Sequence, residues 1–183
     1  MYVEKEVKFR IDDIANMKKK LEQLGLECKG REFQRTIRFD NKGELKEKGL
    51  NLRVRSGSKN TLTLKSKISH KEIIRQREEI ELEISDIEKM KLIINKLGFR
   101  DEKIMENYRT TYTSNCCEVV IDELPFGNFI EIEGEEKDIF DLIKKLGLDE
   151  TKIINKTYWG LFREYKKENN LQELGEDILF TKK

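Results

Sequence analysis

The chain has one proline, one histidine, three cysteines and no apolar run near the length of a membrane span among its 183 residues. The lone histidine, His70, sits in a polar segment and reads as a loop residue, so neither a histidine metal cluster nor a histidine base is expected. Cys28 and the vicinal Cys116 and Cys117 lack the paired spacing of a zinc ribbon or a disulfide framework, which fits a reduced, cytoplasmic setting. The opening stretch Met1-Tyr2-Val3-Glu4-Lys5-Glu6 is charged from the start and has no secretory pattern, so a soluble protein is expected. Charge of one sign is lacking as well. Against 37 Lys+Arg stand 36 Asp+Glu, a net charge of +1. A protein that coats nucleic acid would carry a basic excess, so neither DNA nor a membrane is an expected partner.

What the chain does have is charge of both signs, 40% of all residues. The length suits one domain, read as residues 1–167, followed by a polar tail, 168–183, that is either loose or packed through Ile178, Leu179 and Phe180. Tyr2 to Ile11 alternates as a strand, and Asp12 or Asp13 then caps a helix to about Leu24, ended by Gly25. An extended stretch to Asp40, a charged turn over Asn41–Lys48 and a hairpin of 50–56 with 61–67 follow. A further extended run covers 73–84, a helix about 86–97 ends at Gly98, and strands are expected near 102–113, 117–123 and 128–134. Helices near 136–146 and 155–167 come last. The two strand-then-helix openings, each closed by Leu-Gly, resemble one another as the halves of a duplication would.

Residues i and i+2 of a strand share a face, so parity sorts each strand. Glu4, Glu6, Lys8 and Arg10 fall on one face of the first; Arg53 and Arg55 share a face of another. Thr61, Thr63, Lys65 and Lys67 lie opposite Leu62 and Leu64, and Arg75, Arg77, Glu79, Glu81 and Glu83 oppose Ile80, Leu82 and Ile84. Asp122 shares a face with Glu118, and Glu131 with Glu133. Any one such strand fits an ordinary sheet with one wetted side. Their recurrence, with amphipathic helices available for the apolar sides, fits a closed antiparallel barrel with a polar lumen. The carboxylates there are hard oxygen ligands for Mg²⁺ or Mn²⁺, and the lysines and arginines are donors for phosphate oxygens. A phosphate chain with metal ions would satisfy both walls at once.

Glu4-Lys5-Glu6-Val7-Lys8 resembles the ExExK signature of the CYTH superfamily, the triphosphate tunnel metalloenzymes. The rest of the family's pattern follows in order. It comprises Arg38-Phe39-Asp40, Leu52-Arg53-Val54-Arg55, Leu62-Thr63-Leu64-Lys65, Arg77-Glu78-Glu79-Ile80-Glu81, Arg109-Thr110-Thr111-Tyr112, the run Val120 to Gly127, Phe129 to Gly134, and Lys156-Thr157-Tyr158. The resemblance covers about residues 2–165 and implies an α+β fold, an eight-stranded antiparallel closed β-barrel with flanking helices. It implies Glu4, Glu6, Asp122, Glu131 and Glu133 as metal ligands, and Glu79, Glu81 and Asp122 as the catalytic or water-activating set. Lys8, Arg53, Arg55, Lys65, Arg77, Arg109 and Lys156 would clamp the triphosphate. Two departures stand out: Asn107 replaces a lysine common in the family, and the His-Phe pair that precedes ExExK in some class IV adenylyl cyclases is missing.

The activity expected from the resemblance is metal-dependent hydrolysis of a triphosphate: tripolyphosphate, ATP or another nucleoside triphosphate, or thiamine triphosphate. The metals would stabilise charge and lower the pKa of a bound water, which needs no histidine. Class IV adenylyl cyclase activity, forming cyclic AMP and pyrophosphate, is the first alternative. A non-catalytic module for polyphosphate or RNA 5′-triphosphate is the second. A monomer or a homodimer would serve equally.

Overall fold

The computed structural model of the protein describes residues 2–68 and 73–180, and His70 lies outside them. Strand β1 (Tyr2–Ile11) leads to helix α1 (Ile14–Gln23), β2 (Glu27–Asp40), a one-turn α2 (Glu44–Glu47), β3 (Leu50–Ser56) and β4 (Thr61–Lys67). Then come β5 (Arg75–Glu83), α3 (Ile87–Lys96), β6 (Arg100–Thr113), β7 (Cys117–Leu124), β8 (Gly127–Gly134), α4 (Glu136–Leu146), a 3₁₀ turn (Glu150–Lys152) and α5 (Tyr158–Glu168).

The strands pair antiparallel in the order β1-β5-β4-β3-β2-β6-β7-β8, and β1 pairs again with β8 to close the ring. Exchanging β1–β4 for β5–β8 maps this order onto itself. The two openings also match locally: Asp13 and Asp86 each cap their helix by accepting the backbone N–H three residues on, from Asn16 and Lys89. Each helix is followed by a glycine at positive φ, Gly25 at 80° and Gly98 at 98°, a conformation that side chains disfavour.

The expected turn over Asn41–Lys48 contains α2. Asp40, 1% exposed, accepts backbone N–H bonds from Asn41, Leu45 and Lys46, and this carboxylate winds the chain into a turn too short for periodicity to reveal. The last helix starts later than expected, at Tyr158, because Thr157 accepts from the Gly160 N–H and acts as its cap.

Helices α1 and α4 cover the outside of β1, β7 and β8, burying Val7, Phe9, Val119, Ile121, Ile130 and Ile132 beneath Met17, Leu21, Ile139 and Ile143. Each such side chain contributes about 1.5–3 kcal/mol by leaving water. Helix α3 covers Ile37, Val54, Leu62 and Ile104 through Ile94, Ile87 and Met90. Helix α5 packs Tyr158, Trp159, Leu161 and Phe162 against Met105, Leu124, Phe126 and Phe129. The apolar side of β5 differs from the expected covering by helices: Ile80 and Leu82 remain 52% and 48% exposed.

Beyond α5 the chain returns to the barrel. Strand β7 pairs with β6 only over Tyr108–Thr113, and the segment around Ile178 takes its place further along. The Ile178 N–H donates to the Ile104 carbonyl and the Glu106 N–H to the Ile178 carbonyl, each at 2.8 Å. The Ile178 side chain is fully buried, and Leu179 beside it is exposed.

Candidate functional site

Residues of one parity from all eight strands face a cavity of about 1150 Å³. Twelve lysine and arginine side chains line it against nine aspartate and glutamate, a local excess of three cations in a chain whose overall excess is one. In a ring of adjacent strands such charges face one another across the lumen, and low solvent access strengthens every interaction among them.

On β1, Glu4 accepts from the Lys65 ammonium at 2.6 and 2.7 Å, and Lys65 also reaches Glu79 at 2.9 Å. Glu6 pairs with Arg75 at 3.1 Å, and Lys8 with Glu131 at 2.9 Å. Lys8 further donates to the Lys156 carbonyl and rests 3.7 Å from the centre of the Tyr158 ring. Arg109 donates to both Asp122 oxygens, at 2.8 and 2.6 Å, and to Glu131 at 3.2 Å. Arg53 approaches Glu79 at 3.7 Å, and Thr63 donates to Glu81 at 2.7 Å.

The two walls perturb each other. Burial, together with the nearby charges of Glu131 and Glu4, raises the Glu6 pKa above the usual carboxylate range. Burial opposes the charge of Glu131 too, yet Lys8 and Arg109 hold its pKa well below that range. Arg109 is likewise buried, but Asp122 keeps its pKa well above its ordinary value. For Arg55, burial and the neighbouring Arg53 and Arg109 push the guanidinium down to about 9. Arg77 moves the same way, from burial and then Arg75. Among the described residues neither the Arg55 nor the Arg77 side chain makes a hydrogen bond or a close ion pair, although Asp122 and Glu81 attract Arg55, and Glu6 and Glu4 attract Arg77, at longer range; the Nε atoms of Arg53 and Arg55 are buried without partners. The lumen therefore holds two partly desolvated cations that no carboxylate grips directly.

Glu4, Glu6, Glu131, Glu133, Glu79 and Glu81 all reach the cavity, as do Lys8, Arg53, Arg55, Lys65, Arg77 and Arg109. Asp122 does not. It is fully buried behind Arg109, and its oxygens also accept from Asn107 at 2.8 Å and from the Tyr158 hydroxyl at 2.7 Å. Asn107, where the family commonly has lysine, thus serves the carboxylate behind the wall. Lys156 points outward to Glu164, and only its carbonyl touches the set. Among the described residues no three His, Cys, Asp or Glu side chains stand close enough to hold an ion, with Lys65, Arg75 and Lys8 lying among the carboxylates.

Sequence reasoning left Arg75 and Tyr158 out of the site. Arg75 shares the lumen parity of Arg77 and was legible from alternation alone. Tyr158 comes from α5, and its place under Lys8 and on Asp122 depends on how that helix docks. Arg38, readable either as a mouth residue or as a surface charge, lines the cavity; Arg31 and Arg35 instead pair with Glu123 and Glu106. Cys117 is buried with its thiol pushed up to about 11, as befits a packing residue.

An eight-stranded barrel with a two-signed lumen defines a small class of proteins. The CYTH domain family matches residues 3–158, and the chain belongs to that family. A relative from Methanocaldococcus jannaschii, provisionally named an adenylate cyclase, is 30% identical over 171 residues, 87% of this chain and 98% of its own. A solved protein of Pyrococcus horikoshii superposes with a TM-score of 0.74 at 28% identity, covering 85% of this chain and 96% of that one. A Pyrococcus furiosus protein does so with a TM-score of 0.73 at 25% identity, covering 85% and 97%.

Proposed function

We propose that this protein binds a triphosphate along its lumen and hydrolyses it with the help of divalent metal ions. The observation that carries this reading is the pair Arg55 and Arg77, whose side chains have no hydrogen bond or close ion pair among the described residues, inside a cavity that already has a surplus of positive charge. Keeping such charges from water is unfavourable unless an anion meets them, and a guanidinium suits phosphate oxygens. Arg53, Lys65, Lys8 and Arg109 extend the same wall, so an elongated, multiply charged anion fits better than a single phosphate.

The carboxylates supply the second half. Glu4, Glu6, Glu131 and Glu133 offer only hard oxygens, the ligand type for Mg²⁺ or Mn²⁺, and burial with the charges of Glu131 and Glu4 makes Glu6 resist ionisation; to hold such an ion these carboxylates would have to draw together in place of Lys65, Arg75 and Lys8. Lys65 between Glu4 and Glu79 occupies a place a cation would take. A metal ion bound there would neutralise phosphate charge and lower the pKa of a coordinated water. Arg109, Arg55 and Arg77 orient the phosphate chain, and Asp122, held by Asn107 and Tyr158, fixes the Arg109 fork. Glu79 and Glu81 face the cavity as candidates to orient the attacking water.

Adenylyl cyclisation is the second reading, favoured by the cavity volume, which exceeds what a bare triphosphate needs, and by the name of the Methanocaldococcus relative. Incubation with tripolyphosphate or ATP plus Mg²⁺ or Mn²⁺, followed by assay of orthophosphate, pyrophosphate and cyclic AMP, separates the two. Orthophosphate supports hydrolysis, and cyclic AMP with pyrophosphate overturns it. Binding without any product would leave a non-catalytic module.

A further inference from the structure

The register extends the cationic wall past the residues assigned to the triphosphate. Lys103 on β6 is the direct cross-strand neighbour of Arg38 on β2, and Arg38 that of Arg53 on β3. All three line the cavity, with Arg163 of α5 beside them in its wall. Neighbouring strands lie about 4.8 Å apart, so this row continues the clamp by about 10 Å beyond Arg53.

The carboxylates that hold these cations are themselves anchored. Arg38 donates to Asp40 at 3.2 Å and lies 3.9 Å from Glu102, which also lines the cavity, and Asp40 is fixed by three backbone N–H groups. Lys103 and Arg163 share Glu176, at 3.0 and 3.5 Å. Glu176 is in turn gripped at 2.9 Å by Lys166, 6% exposed, which also donates to the Leu174 and Gly175 carbonyls. Stapling the tail to α5 needs one cation, yet three surround this carboxylate. Lys103 and Arg163 each use one N–H on it, so most of their donors stay uncommitted.

We propose that Arg38, Lys103 and Arg163 form a further anion subsite that takes the fourth phosphate of a linear polyphosphate. This rests on the reading of the lumen as a triphosphate site. A nucleoside at that place would leave the uncommitted donors of Lys103 and Arg163 unused, whereas a longer phosphate chain continues the pattern of charge laid down by Arg53 and Arg55.

The test compares tripolyphosphate, tetrapolyphosphate and ATP by thermal-shift titration, with and without Mg²⁺, at constant ionic strength. One added charge-assisted contact is expected to make tetrapolyphosphate bind about tenfold more tightly than tripolyphosphate. Lys103→Met combined with Arg163→Gln is expected to erase that ratio while tripolyphosphate affinity stays within about twofold, since one such contact is what it removes. Glu176→Gln, which frees both cations, is expected to widen it. Equal affinity for the two chains in the native protein overturns the subsite, as does a double variant that weakens both alike. ATP binding more tightly than tetrapolyphosphate overturns it in favour of a nucleoside at that end. If no anion shifts the transition under either condition, the triphosphate reading itself falls and the subsite with it.

Discussion

Arg55 illustrates what it takes to keep a cation ready for a ligand. Burial and two neighbouring arginines depress its pKa to about 9, and its Nε has no partner. A group whose folded-state pKa is lowered in this way costs stability wherever it is charged in the folded protein. The cost is complete below about pH 9 and fades as the pH rises through that value, because the unfolded chain then holds the proton longer. Arg55→Met is therefore expected to stabilise the ligand-free protein by about 1 kcal/mol or more. Urea denaturation at pH 7 and pH 10 should show that gain shrinking at the higher pH, while tripolyphosphate binding weakens at least about tenfold. Glu6→Gln tests the other wall: it is expected to abolish metal-dependent turnover with an unaltered circular dichroism spectrum. Undiminished turnover would remove Glu6 from the site. Alternation alone put Glu4, Glu6 and Lys8 on one face of β1, which is regular from end to end. It could not place Asp122, which has the right parity but lies behind Arg109, or Lys156, whose direction is set by a helix that begins two residues later.

At the level of elements, the helices that the sequence showed best are those with their own punctuation. Asp13 with Gly25, and Asp86 with Gly98, mark α1 and α3 by local chemistry, so their limits were readable within a residue or two. Helix α2 depends on the Asp40 carboxylate reaching three N–H groups, and no periodic signal exists in four residues. The segment after α5 is polar except for a few residues, and its order comes from the stretch of β6 that β7 leaves unpaired. Ile178 is its anchor, fully buried among Met105, Leu161 and Phe162. Ile178→Ala is expected to cost about 2–4 kcal/mol, the range for a buried isoleucine that leaves a partly collapsed hole. A denaturation midpoint unchanged from the native protein would mean that the segment detaches without consequence.

For the molecule as a whole, parity could distinguish charged faces from apolar ones but could not by itself tell a lumen from a wetted surface. The distinction is made by β1, which pairs on both edges and turns an open sheet into a ring. Closure gathers twelve cations and nine carboxylates around one cavity, so an anion that fits should stabilise the whole fold. A triphosphate with Mg²⁺ at one hundred times its dissociation constant contributes about 2.7 kcal/mol, which for a chain of this size raises the melting temperature by roughly 5–10 °C. Scanning calorimetry with tripolyphosphate against an equal ionic strength of chloride measures it directly, and equal transitions would argue against a specific anion site.

The same closure has a consequence in time. Strand β1 carries Glu4, Glu6 and Lys8, yet Lys8 finds its partner Glu131 only after the ribosome has made β8, more than a hundred residues later. Until then one edge of β1 has no strand beside it, and Lys8 has not met its partner even though Lys65 and Arg75, the partners of Glu4 and Glu6, have already been made. The chemistry of the lumen is therefore completed only late in synthesis, once β8 and then α5 with Tyr158 have been made, although the first residues to emerge are among those that perform it.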